Sequence, residues 1–404
     1  MTSSSNEMRT LDGVRIVEYD RADGISEIER IWCGLQTQCP HDYFLSWGWI
    51  STWLESLPKD VDVRLIVGLV QDQPVLAFFI GSARRRKYGF LPTRSLALNT
   101  TGSRYFDLLY IEYNSVLALP SLKFSLVDLL HWLENKRWHE FSLPGLSSGF
   151  VQQMGLLGSE APTSVGVLLE EESSAYFVDL ARVREAKMDY LGLLSSNKRS
   201  QIRRSIKEYE KEGEVRIQAA QSVAEALEML SALAELHQEE WQKRGKPGVF
   251  SNPYLMDFHR KLIASRFEAG EIQILRVFTP QATIGYLYNF VYGGKVLFYQ
   301  SGLKYRPGNL YRPGLVSHYF SIMQNARTDM RVYDFMAGEA GYKSSLATDS
   351  VPMYWVRLVN GKLRLSMERA VLSLKERLKE MPSVADRLKR MRDRFSSAPK
   401  TDSA

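Results

Sequence analysis

Apolar residues in the second half of the chain alternate between the spacing of helices and the spacing of strands. Ser222, with a glutamate three residues later, has the pattern of a capping box at the start of a long helix, and Gly293-Gly294 is typical of a hairpin turn. From Ala175 the predicted order is a strand, three helices, three antiparallel strands, a helix and a strand, followed by two strands that turn at Asn360-Gly361. This succession predicts an α+β fold.

The first half of the chain repeats that order of elements. Its predicted elements include a strand at 107–113 and a helix at 116–135, and the last strand of the second half is predicted at 362–365. We therefore predict two tandem α+β units, each with a mixed, mostly antiparallel sheet flanked by helices, over residues 1–150 and 173–365.

The composition is that of a globular protein, with 45% hydrophobic and 24% charged residues. The longest apolar run, residues 75–81, is far shorter than the ~20 residues that cross a bilayer, and the amino-terminal segment lacks the apolar core of a signal peptide. We therefore expect a cytoplasmic protein. The two cysteines and six histidines have none of the spacings of metal sites, so no metal is predicted.

The net charge of +6 is concentrated near the carboxyl end. From Arg357 onward there are 13 Lys and Arg against 6 Asp and Glu, which leaves the preceding chain close to neutral. A nucleic-acid-binding domain has basic residues over its folded surface, so no specific nucleic acid is expected as a partner. Residues 366–404 are predicted as a basic tail of amphipathic helices, which either pack on the protein or lie on anionic lipid at the inner membrane face.

Two Arg-Pro-Gly triplets, at residues 306–308 and 312–314, lie in the loop before the predicted helix that follows the three antiparallel strands. Proline suits the first helical turn, and glycine has no Cβ to keep a ligand from the backbone. The unpaired N–H groups and the positive end of the helix dipole form an anion site. The loop is therefore either a simple connecting turn or a site for a pyrophosphate.

Basic residues also open an earlier helix, where Arg199 and Arg203 oppose the helix dipole. This placement indicates either an anionic substrate or a solvated helix face. Trp241 and Arg244 end the long helix that follows. They are candidates for the border of an acceptor cleft, although the tryptophan side chain also suits core packing.

The second half carries a set of motifs that points to a family. They are Asn197-Lys198-Arg199, Trp241-Gln242-Lys243-Arg244-Gly245, Tyr299-Gln300-Ser301-Gly302, Arg312-Pro313-Gly314-Leu315, the run from Tyr333 through Glu339, and Tyr342-Lys343. Over roughly residues 173–356 the chain resembles the acyltransferase domain of CelD-type cellulose-biosynthesis proteins, a group of the GNAT superfamily related to the Fem peptidoglycan aminoacyltransferases. The resemblance extends more loosely over the first half.

The resemblance implies tandem GNAT-like units, of which the first lacks a cofactor loop. It implies an N-acyltransferase that moves an acyl group from acyl-CoA, with acetyl-CoA as the expected donor, to an amine such as an amino sugar or a cell-envelope or exopolysaccharide precursor. The implied cofactor-binding residues are Gly308, Arg312 and Gly314. The implied substrate-binding residues are Arg199, Arg203, Trp241, Arg244 and Asp334.

The same resemblance implies roles for three residues in the loop after the predicted strand at 331–335. For two of them, Tyr342 and Lys343, the alternative is an aromatic core residue beside a solvated lysine. Glu339 would be the base or orient the amine, and Tyr342 would give a proton to the leaving thiolate. Lys343 would supply the positive charge that stabilises the transition state.

Two other functions fit these motifs. A Fem-type transferase would use aminoacyl-tRNA, but the predicted helices are too short for the long helical arm of those proteins. A non-catalytic module of a polysaccharide-synthesis assembly would bind a thioester without releasing its thiol. Thioester turnover therefore separates these functions.

The basic tail leads to a first testable prediction. If it lies on anionic lipid, the full chain will sediment with anionic vesicles at low salt, because each basic residue near such a surface contributes ~1 kcal/mol. A chain that ends at Glu380 lacks the second tail helix and will stay in the supernatant. Equal sedimentation of the two chains, or binding that ignores salt, would make the tail a structural element.

Overall fold

A continuous β-sheet organises the chain. The structure is a computed structural model that describes residues 10–11, 13–21, 24–158, 165–338 and 341–380. In chain order the strands are β1 (Thr10–Leu11), β2 (Val14–Asp20), β3 (Asp62–Val70), β4 (Gln73–Lys87), β5 (Leu91–Leu98), β6 (Leu117–Ala118), β7 (Glu140–Ser147), β8 (Val165–Asp179), β9 (Arg216–Ala219), β10 (Ile272–Phe278), β11 (Thr283–Tyr292), β12 (Lys295–Leu303), β13 (Val332–Ala337) and β14 (Asp349–Asn360).

Helices cover both faces of this sheet, and side chains cap many of them. The predicted cap at Ser222 is confirmed, since its Oγ accepts a hydrogen bond from the Glu225 N–H at 3.2 Å. The helices are α1 (Ile25–Gln36), α2 (Trp47–Ser56), α3 (Leu126–Leu133), α4 (Ser148–Met154), α5 (Leu180–Glu185), α6 (Ser196–Tyr209), α7 (Val223–Lys243), α8 (Pro253–Arg266), α9 (Pro313–Ala326), α10 (Gly341–Leu346) and α11 (Lys362–Glu380).

The sheet order is β1-β2-β3-β4-β5-β7-β14-β8-β13-β12-β11-β10-β9. The short strand β6 lies outside this order and pairs with β4. Neighbouring strands are antiparallel except for β5 with β7 and β12 with β13, one parallel pair in each half of the chain. On one face, α1, α2, α7 and α8 share a single apolar core that joins the two halves. The mostly antiparallel sheet flanked by helices confirms the predicted fold class.

The two halves exchange strands at the centre of the sheet. β8 follows the first half and pairs with β13 of the second, while β14 comes from the second half and pairs with β7 of the first. β8 and β14 also pair with each other, from Asp349 opposite Phe177 to Asn360 opposite Val165. The predicted unit limits stay predictions, but hydrogen-bonded strands cross between the halves.

Three predicted elements are wrong, each for a local reason. Residues 107–113 form a short 3₁₀ turn at Asp107–Leu109 and an irregular segment, in which Tyr110 and Tyr113 adopt positive φ. The predicted 116–135 helix is only α3, because its Ser125 capping box starts the helix late. Residues 362–365 begin α11 rather than a strand, and this helix contains the first predicted tail helix; the second lies outside the described residues.

In the first half, the gap beyond the parallel pair of β5 and β7 is filled by another segment of the same chain. β5 and β7 pair only over 95–97 and 140–142, and Asn114 lies between the strands beyond that point. Its Nδ2 donates to the carbonyls of Leu98 and Pro144 at 3.2 and 3.0 Å, and its Oδ1 accepts from Asn99 Nδ2 at 2.8 Å. A Cβ at Gly145 would lie 2.3 Å from the Ile111 carbonyl oxygen, so the segment 110–115 packs too closely there for any side chain.

Replacing this central amide will destabilise the protein. Asn114 is fully buried, so Asn114→Ala leaves two strand carbonyls without a donor, at a cost of about 3 kcal/mol. The matched control is Asn197→Ala, which removes the same group from an exposed helical position. Urea unfolding followed by circular dichroism will show a lower midpoint for the first variant alone. Equal midpoints would mean that Asn114 does not hold the strands together.

Candidate active site

In the second half, the parallel strands β12 and β13 separate and leave a gap between them. β12 and β13 pair only over 295–297 and 332–334, and then part. A β-bulge in β12 accompanies this separation. Phe298 lies opposite Asn289 of β11 and Gln300 lies opposite Tyr288, so Tyr299 between them is an extra residue in β12. On β13, Met336 has a φ of 60°, a conformation that a side chain rarely adopts. The strands therefore form a V-shaped opening at their carboxyl ends.

A large cavity lies at one side of this opening, between the end of α7, the loop after β12 and the start of α9. Its volume is about 860 Å³, in the range of cofactor sites. Arg312 is the N-cap of α9 and Pro313 its first residue, and no side chain caps the helix. Because the first N–H groups of a helix lack intrahelical partners, this end offers donors and a positive dipole to an anion.

Basic side chains surround that helix end. Lys198, Arg244 and Arg312 line the cavity, and Glu240, the one carboxylate among its described lining residues, accepts hydrogen bonds from Arg244 at 2.8 and 3.0 Å. Burial and the neighbouring Arg312 charge lower the pKa of Lys198. The cavity thus has an excess of positive charge, as an anionic ligand requires.

A smaller cavity of about 230 Å³ lies on the other side of the opening. It shares Val249, Gln300, Ser301 and Tyr342 with the large cavity. Glu112 of the first half and Lys343 of α10 line only the smaller cavity. Two ligands that enter from opposite sides can therefore meet beside Gln300 and Tyr342.

Glu112, which is buried, and Lys343, which is partly buried, both line the smaller cavity. The Glu112 carboxylate accepts from the Ala337 N–H at 2.8 Å, and the Lys343 ammonium donates to the carbonyls of Met336 and Ala337. Burial raises the pKa of Glu112 to about 7, although the hydrogen bond from Ala337 and the charge of Lys343 oppose the rise. Burial also lowers the pKa of Lys343.

Aromatic side chains form the wall behind this pair. The rings of His318 and Tyr342 stack with centroids 5.5 Å apart. Burial, followed by the Lys343 charge, lowers the pKa of His318 to about 3, so this ring is neutral at physiological pH. Burial raises the pKa of Tyr342, whose hydroxyl therefore keeps its proton. The wall carries neutral donors and acceptors.

The structure brings several predicted site residues together. Tyr342 lines both cavities, Lys343 the smaller one, and Trp241, Arg244, Arg312 and Gly314 the larger one. Trp241 is only partly buried and belongs to the same wall as the α9 helix end. Thus the residues assigned to the acceptor cleft share a cavity with the residues assigned to the cofactor.

Other predicted residues lie elsewhere. Arg203 and Gly308 are exposed and line neither cavity, and Arg199 donates to the carbonyls of Gly192 and Leu194. Asp334 lies beneath the opening with 3% of its surface exposed, where it accepts from Tyr113 Oη and from the Met336 N–H at 2.7 Å. This buried position suits Asp334 to a role in holding β13 in place. Glu339 lies outside the described residues.

Sequence reasoning missed Glu112 because its segment was predicted as a strand of the first half. The available signal was a single glutamate between the apolar residues Ile111 and Tyr113, since a charge in a buried run needs a partner. Lys198 was noticed only as part of a basic helix start, and its place on the cavity wall depends on the packing of α6 against α9.

The part of the chain that the structure describes contains neither a metal-binding cluster nor a membrane-spanning helix. No group of three or more His, Cys, Asp or Glu side chains in this part of the chain is arranged to hold a metal ion. None of the helices described here is both long and apolar enough to cross a membrane.

Comparison with known proteins gives the class. Residues 196–344 match the family model of the acetyltransferase (GNAT) domain. FemX has a similar structure at 11% identity, with a TM-score of 0.53 over 84% of this chain and 97% of FemX. L-PGS from Bacillus licheniformis matches at 10% identity, with a TM-score of 0.47 over 82% of this chain and 92% of that one. No curated protein matches in sequence.

A tandem GNAT protein from the clavulanic acid biosynthesis pathway is also similar, at 10% identity and a TM-score of 0.43 over 85% of this chain and 98% of that one. The chain thus has the fold of the GNAT acyltransferases. The domain match, which contains the opening between β12 and β13 and the start of α9, identifies the protein as an acyltransferase.

The start of α9 leads to a testable prediction about ligand binding. Coenzyme A at 100 times its dissociation constant should stabilise the protein by about 2.7 kcal/mol by mass action. Gly314→Val places a branched side chain on the cavity wall at the second residue of α9 and should abolish this stabilisation. Thermal unfolding and calorimetry measure both effects.

The matched control is Gly149→Val, at the second residue of α4, where no atom lies within 4 Å of the new Cβ. It should retain the response to coenzyme A. An unchanged affinity in Gly314→Val would remove this helix end from the binding site.

Proposed function

We propose that the protein is an N-acyltransferase that moves an acyl group from acyl-CoA to an amine. The observation that carries this proposal is the meeting of two cavities at the opening between β12 and β13, one with an uncapped helix end and basic walls, the other with a buried acid and lysine. A thioester carbonyl from the first cavity and an amine from the second would meet there. Acetyl-CoA is the first donor to test.

The acceptor class follows from the resemblance to CelD-type proteins. We propose an amino sugar or another amine-bearing precursor of the cell envelope or of an exopolysaccharide. In this proposal the protein is cytoplasmic, and its basic tail makes peripheral contact with anionic lipid at the inner membrane face. Donor binding would use the first turn of α9 with Lys198 and Arg312 for the pyrophosphate.

The proposed chemistry is direct attack of the amine nitrogen on the thioester carbonyl carbon. Glu112 takes a proton from the attacking amine, for which a pKa of about 7 is suitable near neutral pH. Lys343 places a positive charge beside the oxygen that becomes negative. The carbon–sulfur bond then breaks, and Tyr342 donates its proton to the leaving thiolate. Glu339 remains a predicted second group for orienting the amine.

An aminoacyl-tRNA donor is the second candidate, and the similarity in fold to FemX favours considering it. Two observations favour the thioester. α7, with 21 residues, packs along β10, β11 and β12 rather than extending as a free arm, and the basic walls surround a cavity instead of an open surface. A non-catalytic binding module would have the same cavities but no turnover.

Release of free thiol from acetyl-CoA tests the proposed chemistry. With glucosamine and glucosamine 6-phosphate as acceptor probes, kcat/KM should rise with pH through about 7, because Glu112 must lose its proton before it can accept one. Glu112→Gln keeps an acceptor for the Ala337 N–H but should lower turnover about 100-fold and remove this rise. Glu228→Gln, on the exposed face of α7, is the control.

Lys343→Ala should lower turnover while the affinity for coenzyme A stays unchanged, as for an interaction made chiefly in the transition state. Lys261→Ala on the surface of α8 serves as its control. Full turnover in either site variant would overturn the assigned role. Coenzyme A binding without thiol release from any acyl-CoA would favour the binding module.

A further inference from the structure

A second basic cavity lies mainly in the first half, at the strand ends where the hairpin of β4 and β5 meets the start of β7. Its volume is about 780 Å³. Its basic lining residues include Arg84, Arg86, Arg94, Arg137 and His139, and no Asp or Glu of the described part of the chain belongs to its wall. It shares no lining residue with either cavity of the candidate active site. We call it the arginine pocket.

Two arginines of the pocket face each other across the sheet. Arg84 on β4 is the register partner of Arg94 on β5. The Cβ atoms of such antiparallel partners lie ~5 Å apart, and like charges directly opposite each other destabilise a sheet. An anion between the two guanidinium groups removes this repulsion.

Of the arginines that line the pocket, Arg85 is paired with Glu140, but the side chains of the others have no hydrogen-bond or ion-pair partner among the described residues. Lys136, on the same wall, is neutralised by Glu18, and the nearby Glu140 is held by Arg85, Lys87 and Arg357. By contrast, Arg84, Arg86 and Arg137 have no ion pair or side-chain hydrogen bond in the described part of the chain. The Nε of Arg94 is buried there without a hydrogen-bond partner, which is costly for a charged group.

His139 adds a neutral donor to this wall. Its Nδ1 accepts a hydrogen bond from the Arg94 N–H at 2.8 Å, so the neutral ring carries its proton on Nε2. Burial lowers the pKa of His139, and the charges of Arg364 and Arg94 lower it further, while the Glu140 carboxylate opposes them. The ring is therefore neutral near pH 7.

We propose that the arginine pocket is a phosphoryl-binding site. Guanidinium groups match phosphate oxygens in pairs and keep their charge at any physiological pH. A cavity of about 780 Å³ is larger than a phosphate ion, so the phosphoryl group belongs to a larger molecule, either a soluble phosphate or pyrophosphate ester or a phospholipid headgroup. This site is separate from the proposed donor site, and its existence does not depend on the acyl-transfer reaction.

Calorimetry with inorganic pyrophosphate tests the proposal on the full chain. Arg84→Ala/Arg86→Ala should weaken pyrophosphate binding at least tenfold, and Gly314→Val should leave this binding component intact, which separates it from the donor site. Arg30→Ala/Arg216→Ala removes the same charge from exposed ion pairs elsewhere and should bind like the unchanged protein. Pyrophosphate should also raise the melting temperature of the unchanged protein but not that of the first double variant.

Two results would overturn the proposal: no pyrophosphate binding that survives Gly314→Val, or equal affinity in Arg84→Ala/Arg86→Ala and the unchanged protein. Sedimentation with phosphatidylglycerol vesicles then identifies the source of the phosphoryl group. Weaker vesicle binding by the double variant, with competition by pyrophosphate, supports a lipid headgroup. Equal vesicle binding, together with the loss of pyrophosphate affinity, supports a soluble phosphate ester.

Discussion

Where two neighbouring parallel strands separate, their backbone N–H and C=O groups no longer bond each other and need new hydrogen-bond partners. Each half of the chain contains one such separation. In the first half the chain itself supplies these partners, since Asn114 donates to carbonyls of both β5 and the strand beside it. In the second half side chains satisfy β13, because Asp334, Glu112 and Ser173 accept from three successive N–H groups. The space towards β12 is then left as a cavity, so the same requirement is met by a closed strand pair in the first half and by an open one in the second.

The segment that closes the first opening also reaches the second. Residues 110–115 place Asn114 between β5 and β7, while Glu112 contacts β13 and Tyr113 donates to Asp334. Their side chains support the residues that flank Lys343, so the first half supplies a wall of the site as well as half of the sheet. The apolar core shared by α1, α2, α7 and α8 holds these parts at a fixed distance.

Much of this arrangement was predictable from local patterns. The Ser222 cap, the Gly293-Gly294 turn and the proline at the start of α9 each specify the chain over a few residues, and each was found in the sequence. The resemblance to acyltransferases named Tyr342, Lys343 and Gly314 as site residues, and in the structure Tyr342 lines both cavities, Lys343 the smaller one and Gly314 the larger one. Glu112 was not predictable in this way, because its role depends on a contact with Ala337, 225 positions later in the chain. The contact of Asp334 with Tyr113 was not predictable either, because Tyr113 lies in the other half, and substrate binding by Asp334 stays a prediction.

The exchange of β8 and β14 has a consequence for the order in which the protein folds during synthesis. β7 is complete at residue 147, but one of its two neighbours, β14, is made only at residues 349–360. Until then the first half has an unpaired strand edge, which is a surface for aggregation or for pairing with another chain. Contacts so distant in sequence also form slowly. The nascent first half therefore keeps an open strand edge until residues 349–360 have emerged from the ribosome.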